Sequence, residues 1–68
     1  NCISPGFIRT KMIEELNEDQ KENITKKIPL GRIGTPDDVA FCVNFLVSEK
    51  ASYITGQTIH VNGGLAMV

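Results

Sequence analysis

The stretch Asn1-Cys2-Ile3-Ser4-Pro5-Gly6-Phe7-Ile8-Arg9-Thr10-Lys11-Met12 decides how the rest of the chain is read. Cys2-Ile3-Ser4 has the make-up of a short strand end, with Ile3 its buried residue. Pro5 has no N–H for a ladder, and Gly6 tolerates backbone angles that other residues avoid, so the pair stops the strand. Phe7-Ile8-Arg9-Thr10 then forms a loop leading towards a helix. A rigid strand, a sharp break, exposed backbone amides and the Thr10 hydroxyl together have the shape of the edge of a site. Phe7 and Ile8 are apolar residues in a turn and must pack over something. Plain packing onto a core is the simpler reading; the functional one is the wall of a ligand pocket.

Beyond this edge the sequence reads as scaffold. Met12 to Leu16 is a short helix on which Met12, Ile13 and Leu16 share a face. Asn17 ends it and can N-cap a second helix from Glu18 to Lys27. That helix is acidic first and basic last, as the helix dipole favours, and its charge run is a solvated face. Few large apolar residues anchor the two helices, so the pair should open more easily than a core helix, as a lid does. In Ile28-Pro29-Leu30-Gly31-Arg32-Ile33-Gly34, a loop, Ile28, Leu30 and Ile33 can be pinned inward. Arg32 between them reads as a structural ion pair or a bond to loop carbonyls, ahead of a substrate contact.

Thr35-Pro36-Asp37-Asp38 is a helix start: Thr35 caps, Pro36 fits the first turn, and the aspartates suit the positive end of the dipole. Capping is preferred to acid–base or metal chemistry for the two carboxylates. The helix is expected from Pro36 to Ser48. Val39, Ala40, Val43, Leu46 and Val47 make one apolar stripe, which Phe41, Cys42 and Phe45 extend, so the helix should be covered on two sides. Glu49 to Ser52 closes it, Tyr53 to Gln57 is a turn broken at Gly56, and Thr58-Ile59-His60-Val61 alternates as a β-branched strand. Asn62-Gly63-Gly64 ends that strand, and the apolar Leu65-Ala66-Met67-Val68 is expected to dock on this chain or a neighbour.

Two strands joined through helices fit part of a parallel α/β sheet, and such a sheet needs cover on both faces and neighbours at its edges. A start at Asn1, inside a strand, also suggests a piece of a longer chain. The 68 residues suit at most one small domain, and 41% apolar content is that of a folded protein. A net charge of −1 gives no reason to expect nucleic acid or an anionic membrane as partner, and no apolar run reaches the ~20 residues of a membrane span. Cys2 and Cys42 are too few for a disulfide framework and show no CxxC or metal spacing; a structural disulfide is possible, and two small buried thiols in a reducing compartment are the preferred reading. His60 is the one histidine and builds no metal site with such partners.

At this point the residues resemble a known family. Asn1-x-Ile3-x-Pro5-Gly6-x-Ile8-x-Thr10 resembles the Pro-Gly motif of the short-chain dehydrogenase/reductase family. Pro29-Leu30-Gly31-Arg32-x-Gly34-x-Pro36-x-Asp38-Val39-Ala40 looks like its loop and helix before the last strand. Tyr53-Ile54-Thr55-Gly56-Gln57 and Val61-Asn62-Gly63-Gly64 look like its C-terminal signature. The series covers nearly the whole chain in family order. His60 to Gly64 and Gly6-Phe7-Ile8-x-Thr10 are most similar to the branch that reduces 3-oxoacyl groups on acyl carrier protein in fatty-acid synthesis.

The resemblance implies an α/β fold: residues 1–68 as the C-terminal part of a single NAD(P)-binding, Rossmann-type doubly wound parallel sheet (strand, two lid helices, helix, last strand). It implies that the Ile8 backbone and the Thr10 hydroxyl contact the nicotinamide carboxamide, in a turn shaped by Pro5 and Gly6. The cofactor would be NADPH, with NADH the other possibility, and the reaction hydride transfer to a ketone, with a tyrosine giving the proton. The helix from Pro36 to Ser48 and the last strand would form an interface of a cytoplasmic homotetramer. The partners implied are the remainder of the same protein and an acyl carrier protein substrate, with neither nucleic acid nor membrane. The Gly-rich phosphate turn and the Ser/Tyr/Lys centre are missing. Tyr53 is followed four residues on by Gln57, not Lys, and is given a packing role. The segment alone is therefore expected to be inactive. Two alternatives stay open: a family member acting on a sugar, steroid or polyol, and a small non-enzymatic helical module docking through Phe41 and Phe45.

Overall fold

The computed structural model describes residues 1–66. Its elements follow the chain as β1 (Cys2–Pro5), α1 (Lys11–Glu14), α2 (Glu18–Lys27), α3 (Pro36–Leu46), a 3-10 turn (Glu49–Ala51) and β2 (Thr58–Val61). The two strands pair in parallel, with Cys2 opposite Thr58 and Pro5 opposite Val61. Parallel strands need a long crossover, and everything from α1 to the 3-10 turn lies within it.

Pro5 belongs to the strand because the ladder takes the N–H of Gly6, which donates to Val61 O at 3.0 Å, and not the one Pro5 lacks. The other end of the pair is tied by Asn1. Its side chain donates to Ile54 O and accepts from Gln57 N, while Cys2 N donates to Gln57 O. The turn before β2 is thus stitched to the start of β1 across more than fifty residues.

Two capping boxes start the longer helices. Asn17 accepts from Gln20 N at 2.8 Å while the Gln20 side chain accepts from Asn17 N. Thr35 Oγ1 accepts from Asp38 N at 3.3 Å while Asp38 accepts from Thr35 N at 2.7 Å. Each box satisfies two backbone donors that a helix start leaves without partners. α1 is a single turn, one residue earlier than the apolar spacing suggests, because Asn17 already commits the chain to the next helix. α3 stops at Leu46, short of Ser48, because the Ser48 hydroxyl and N–H both take the Phe45 carbonyl and tighten the last turn.

α3 lies against β1, β2 and the 3-10 turn, whereas α1 and α2 make no comparable contact with any other element. On α3 the residues turned to the sheet are Val39, Cys42 and Leu46, all half-buried. The expected stripe is only partly covered: Ala40, Phe41, Val43, Phe45 and Val47 are exposed, since two strands shelter one side of a helix. Among the described residues only Ile28 and Ala51 are buried. Ile28 is held in by the turn after β2: Leu30 N donates to Gly63 O, and a Cβ on Gly63 would come within 2.7 Å of Ile28 Cγ2. Gly63 and Gly64 have φ of 64° and 91°, in the left-handed region that favours glycine.

Four side-chain expectations are corrected. Cys2 is exposed and Cys42 half-buried, both as free thiols, since among the described residues α3 is the one helix laid on this two-stranded sheet. Tyr53 is fully exposed, with no covering neighbour among the described residues. Leu30 is 74% exposed rather than pinned inward; its backbone, not its side chain, makes the anchor. Met12 is exposed, leaving Ile13 and Leu16 half-buried on the α1 face. At the C-terminus Leu65 and Ala66 are exposed, and the docking expected of Met67 and Val68 lies outside the described residues.

Candidate functional site

The end of β1 runs close over the turn after β2. A Cβ on Gly6 would sit 2.6 Å from Asn62 Cβ and 2.9 Å from Asn62 Cα, so only glycine lets the backbone cross there. Asn62 is itself fixed: its Oδ1 accepts from Gly64 N at 2.9 Å and its Nδ2 donates to Ala66 O.

Past Gly6 the chain forms a second, one-residue parallel bridge between Ile8 and Gly34. Gly34 N donates to Phe7 O at 3.0 Å, and Arg9 N donates to Gly34 O at 2.7 Å. In a parallel bridge of this kind the bonds use the residues flanking Ile8, so its own N–H and C=O point to the opposite side. Among the described residues neither group has a hydrogen-bond partner, and neither has the Thr10 hydroxyl. One donor, one acceptor and one hydroxyl thus stand together within three residues. A primary carboxamide presents the complementary set, an acceptor oxygen and a donor nitrogen, so the residues present fit the amide end of a nicotinamide.

Arg32, Asp38 and Thr35 support this turn from behind. Arg32 grips the Asp38 carboxylate with both guanidinium arms, Nη1 to Oδ2 at 2.9 Å and Nη2 to Oδ1 at 3.2 Å, in a forked ion pair. Hydrogen bonds from Arg32 and then from the Thr35 backbone hold the Asp38 carboxyl well below the usual carboxylate range. The same contact raises the Arg32 guanidinium above its ordinary value. The structural reading of Arg32 and the capping reading of Asp38 both hold. Phe7 and Ile8 border a cleft of about 240 Å³ whose other walls include Leu30, Arg32, Asp38, His60 and Asn62. Phe7 is thus at the surface and Ile8 half-buried against Gly34.

Of the four residues singled out in sequence, Pro5, Gly6, Ile8 and Thr10 fall on one continuous turn at the C-terminal end of β1. The Ile8–Gly34 bridge and the Asn1 tie had no sequence signal, since both join residues far apart with no local pattern.

A parallel strand pair, linked through helices and ending in a turn with free peptide groups at the strand's carboxyl end, is part of an open α/β sheet of the Rossmann type. Ligands of such sheets bind at that end of the strands. A crystal structure of a short-chain dehydrogenase/reductase from Brucella melitensis, described as a glucose/ribitol dehydrogenase, matches with a TM-score of 0.86 and 42% identity over 97% of this chain and 27% of its own. Residues 1–66 match the family model described as Enoyl-(Acyl carrier protein) reductase. The chain belongs to the short-chain dehydrogenase/reductase family. Over all 68 residues it is 60% identical to 3-oxoacyl-[acyl-carrier-protein] reductase of Rickettsia prowazekii and 62% identical to that of Rickettsia conorii. It is 54% identical to Nodulation protein G of Rhizobium meliloti over the same length. The chain spans 28% of the length of each of these relatives.

Proposed function

We propose that this chain is the C-terminal part of an NADPH-dependent reductase that converts 3-oxoacyl-[acyl-carrier-protein] to the 3-hydroxyacyl form. The observation that carries the reading is identity of 60% or more, along the whole chain, to relatives bearing that activity's name. In this reading the Ile8 N–H and C=O and the Thr10 hydroxyl hold the nicotinamide carboxamide, and Pro5 and Gly6 set the turn that presents them. When bound, the nicotinamide supplies the hydride; these residues orient the ring and do not take part in proton transfer. The serine, tyrosine and lysine of the reaction lie in the remainder of the protein, so the segment by itself is inactive. α1 and α2 form the lid over the acyl chain. α3 and β2, with exposed Phe41 and Phe45, form a contact of a homotetramer. A cytoplasmic location goes with this reading. Among the described residues, no helix is long and apolar enough to cross a membrane.

A second reading, a dehydrogenase of sugars or polyols, draws on the likeness to the Brucella melitensis structure. The experiment that separates them is turnover by the full-length protein with NADPH, NADH and a panel of acyl thioesters, sugars and polyols. NADPH consumption with 3-oxoacyl thioesters on acyl carrier protein supports the proposal. Oxidation of a sugar or polyol with no thioester turnover replaces it with the second reading. The non-enzymatic module is tested by circular dichroism of the isolated chain, where a cooperative thermal transition would favour it.

A further inference from the structure

We infer that Asp38, together with Arg32, is a positioning residue for the nicotinamide end of the cofactor site, acting on Ile8 through Gly34. This rests on the reading of Ile8 and Thr10 given above. Between Gly6, tied to Val61, and Thr10, whose carbonyl begins α1, the only backbone hydrogen bonds among the described residues are the two to Gly34. The direction in which the Ile8 peptide groups point is therefore set by where Gly34 stands.

Gly34 itself bonds only Phe7 and Arg9 among the described residues, and its neighbours in the chain meet at Asp38. The Asp38 carboxylate takes Arg32 on one side of Gly34 and Thr35 on the other. Its Oδ2 accepts from Arg32 Nη1, from Thr35 N and from the Thr35 hydroxyl at 3.1 Å. Arg32, two residues before Gly34, and Thr35, the residue after it, are thereby gripped by one side chain at the start of α3, and Arg32 Nη1 also reaches Ile33 O at 3.4 Å. The fit is close: a Cβ on Gly34 would lie 2.9 Å from Ile8 Cδ1 and 3.5 Å from Asp38 Oδ2. The Ile8 side chain and the Asp38 carboxylate thus both lie against the same face of Gly34. A charged residue spent only on helix capping needs no arginine fork. The fork ties the loop before the helix to its cap and leaves one position for the strand-like bridge to Ile8.

The test uses the full-length protein and the variants Asp38→Asn, Arg32→Gln and Arg32→Lys. Dissociation constants are measured by calorimetry for NADPH and for 2′-phospho-ADP-ribose, which lacks the nicotinamide. Asp38→Asn and Arg32→Gln are expected to weaken NADPH by at least ~3-fold, the equivalent of one impaired hydrogen bond, with the nicotinamide-free ligand unchanged. Arg32→Lys should recover part of the loss, since it restores the charge without the fork. Arg32→Gln leaves the Thr35 cap in place, so it reports even where Asp38→Asn fails to fold. Equal weakening of both ligands by Arg32→Gln, or no change in either, overturns the positioning role while leaving the cofactor site intact. A wild-type protein that binds neither NADPH nor NADH overturns the cofactor reading and this role with it.

Discussion

The β1–α3–β2 unit and the α1–α2 segment hold their shapes by different means. The first is defined by long-range structure: a four-residue parallel register, a helix laid across both strands, and the Asn1 tie to the turn before β2. The second is held by local bonds, a capping box at Asn17 and a hydroxyl bond from Thr25 to Lys21 O, and is anchored just past α2, where Ile28 to Leu30 meet Gly63 and Gly64. Neither α1 nor α2 packs on another element as α3 packs on both strands. Local bonds form and break one turn at a time, whereas a packed unit opens as a whole. The turn with the free Ile8 and Thr10 groups joins the two regions, fixed on its β1 side and leading into the looser helices on the other. A cofactor end wants the first property and a substrate cover the second.

The largest effect that would sharpen this contrast is Phe45→Asp. On the exposed face of α3 it puts a charge into the proposed subunit contact, and a buried unpaired charge is strongly unfavourable. Light scattering of the full-length variant should show loss of the tetramer; an unchanged tetramer contradicts the interface. Next comes Gly6→Ala, which presses a methyl onto the Asn62 backbone. It should cost roughly 1–3 kcal/mol in denaturant unfolding, as overpacking does. A cost near zero would mean that the β1 end and the Asn62 turn are not tightly coupled.

The same chemistry can be removed from both regions. Thr35→Ala and Asn17→Ala each delete a cap worth about 1 kcal/mol. In the packed unit the Thr35→Ala cost should appear in global stability. In α2 the Asn17→Ala cost should appear as faster amide exchange of that helix, with global stability unchanged. Equal global losses, or wild-type α2 amides exchanging as slowly as those of α3, would erase the distinction. Thr10→Val should raise the Michaelis constant for cofactor by the equivalent of ~0.5–1.5 kcal/mol, and no change would remove Thr10 from the site. The smallest effect is on the Arg32–Asp38 pair. A carboxyl held below its ordinary value stabilises the fold above that value, about 4, and the gain is lost as pH falls below it. Asp38→Asn should therefore flatten the acid limb of the stability profile; an unchanged limb would mean that the pair adds nothing to folding.

Legibility in the sequence followed the range of the interaction. Thr35 with Asp38, and Asn17 before α2, could be read because a cap joins residues three apart. β2 could be read because its alternation is local, and the parallel pairing because two strands were separated by helices. Cys2, Tyr53 and Leu30 were misread because burial depends on what lies across from a residue, and a short sequence does not state its neighbours. Pro5 and Gly6 could be read as the end of a strand, but the outward turn of the Ile8 peptide groups depends on Gly34, twenty-six positions away in a loop with no strand pattern. The approach of Asp38 and Ile8 to Gly34 is a contact between two loops, with no local pattern to announce it.

The most direct test of the central claim is a crystal structure of the full-length protein with NADPH. The nicotinamide carboxamide should lie within hydrogen-bonding distance, about 3 Å, of the Ile8 N–H and C=O and of Thr10 Oγ1. A cofactor bound with its carboxamide elsewhere, and the Ile8 groups facing solvent, would contradict it.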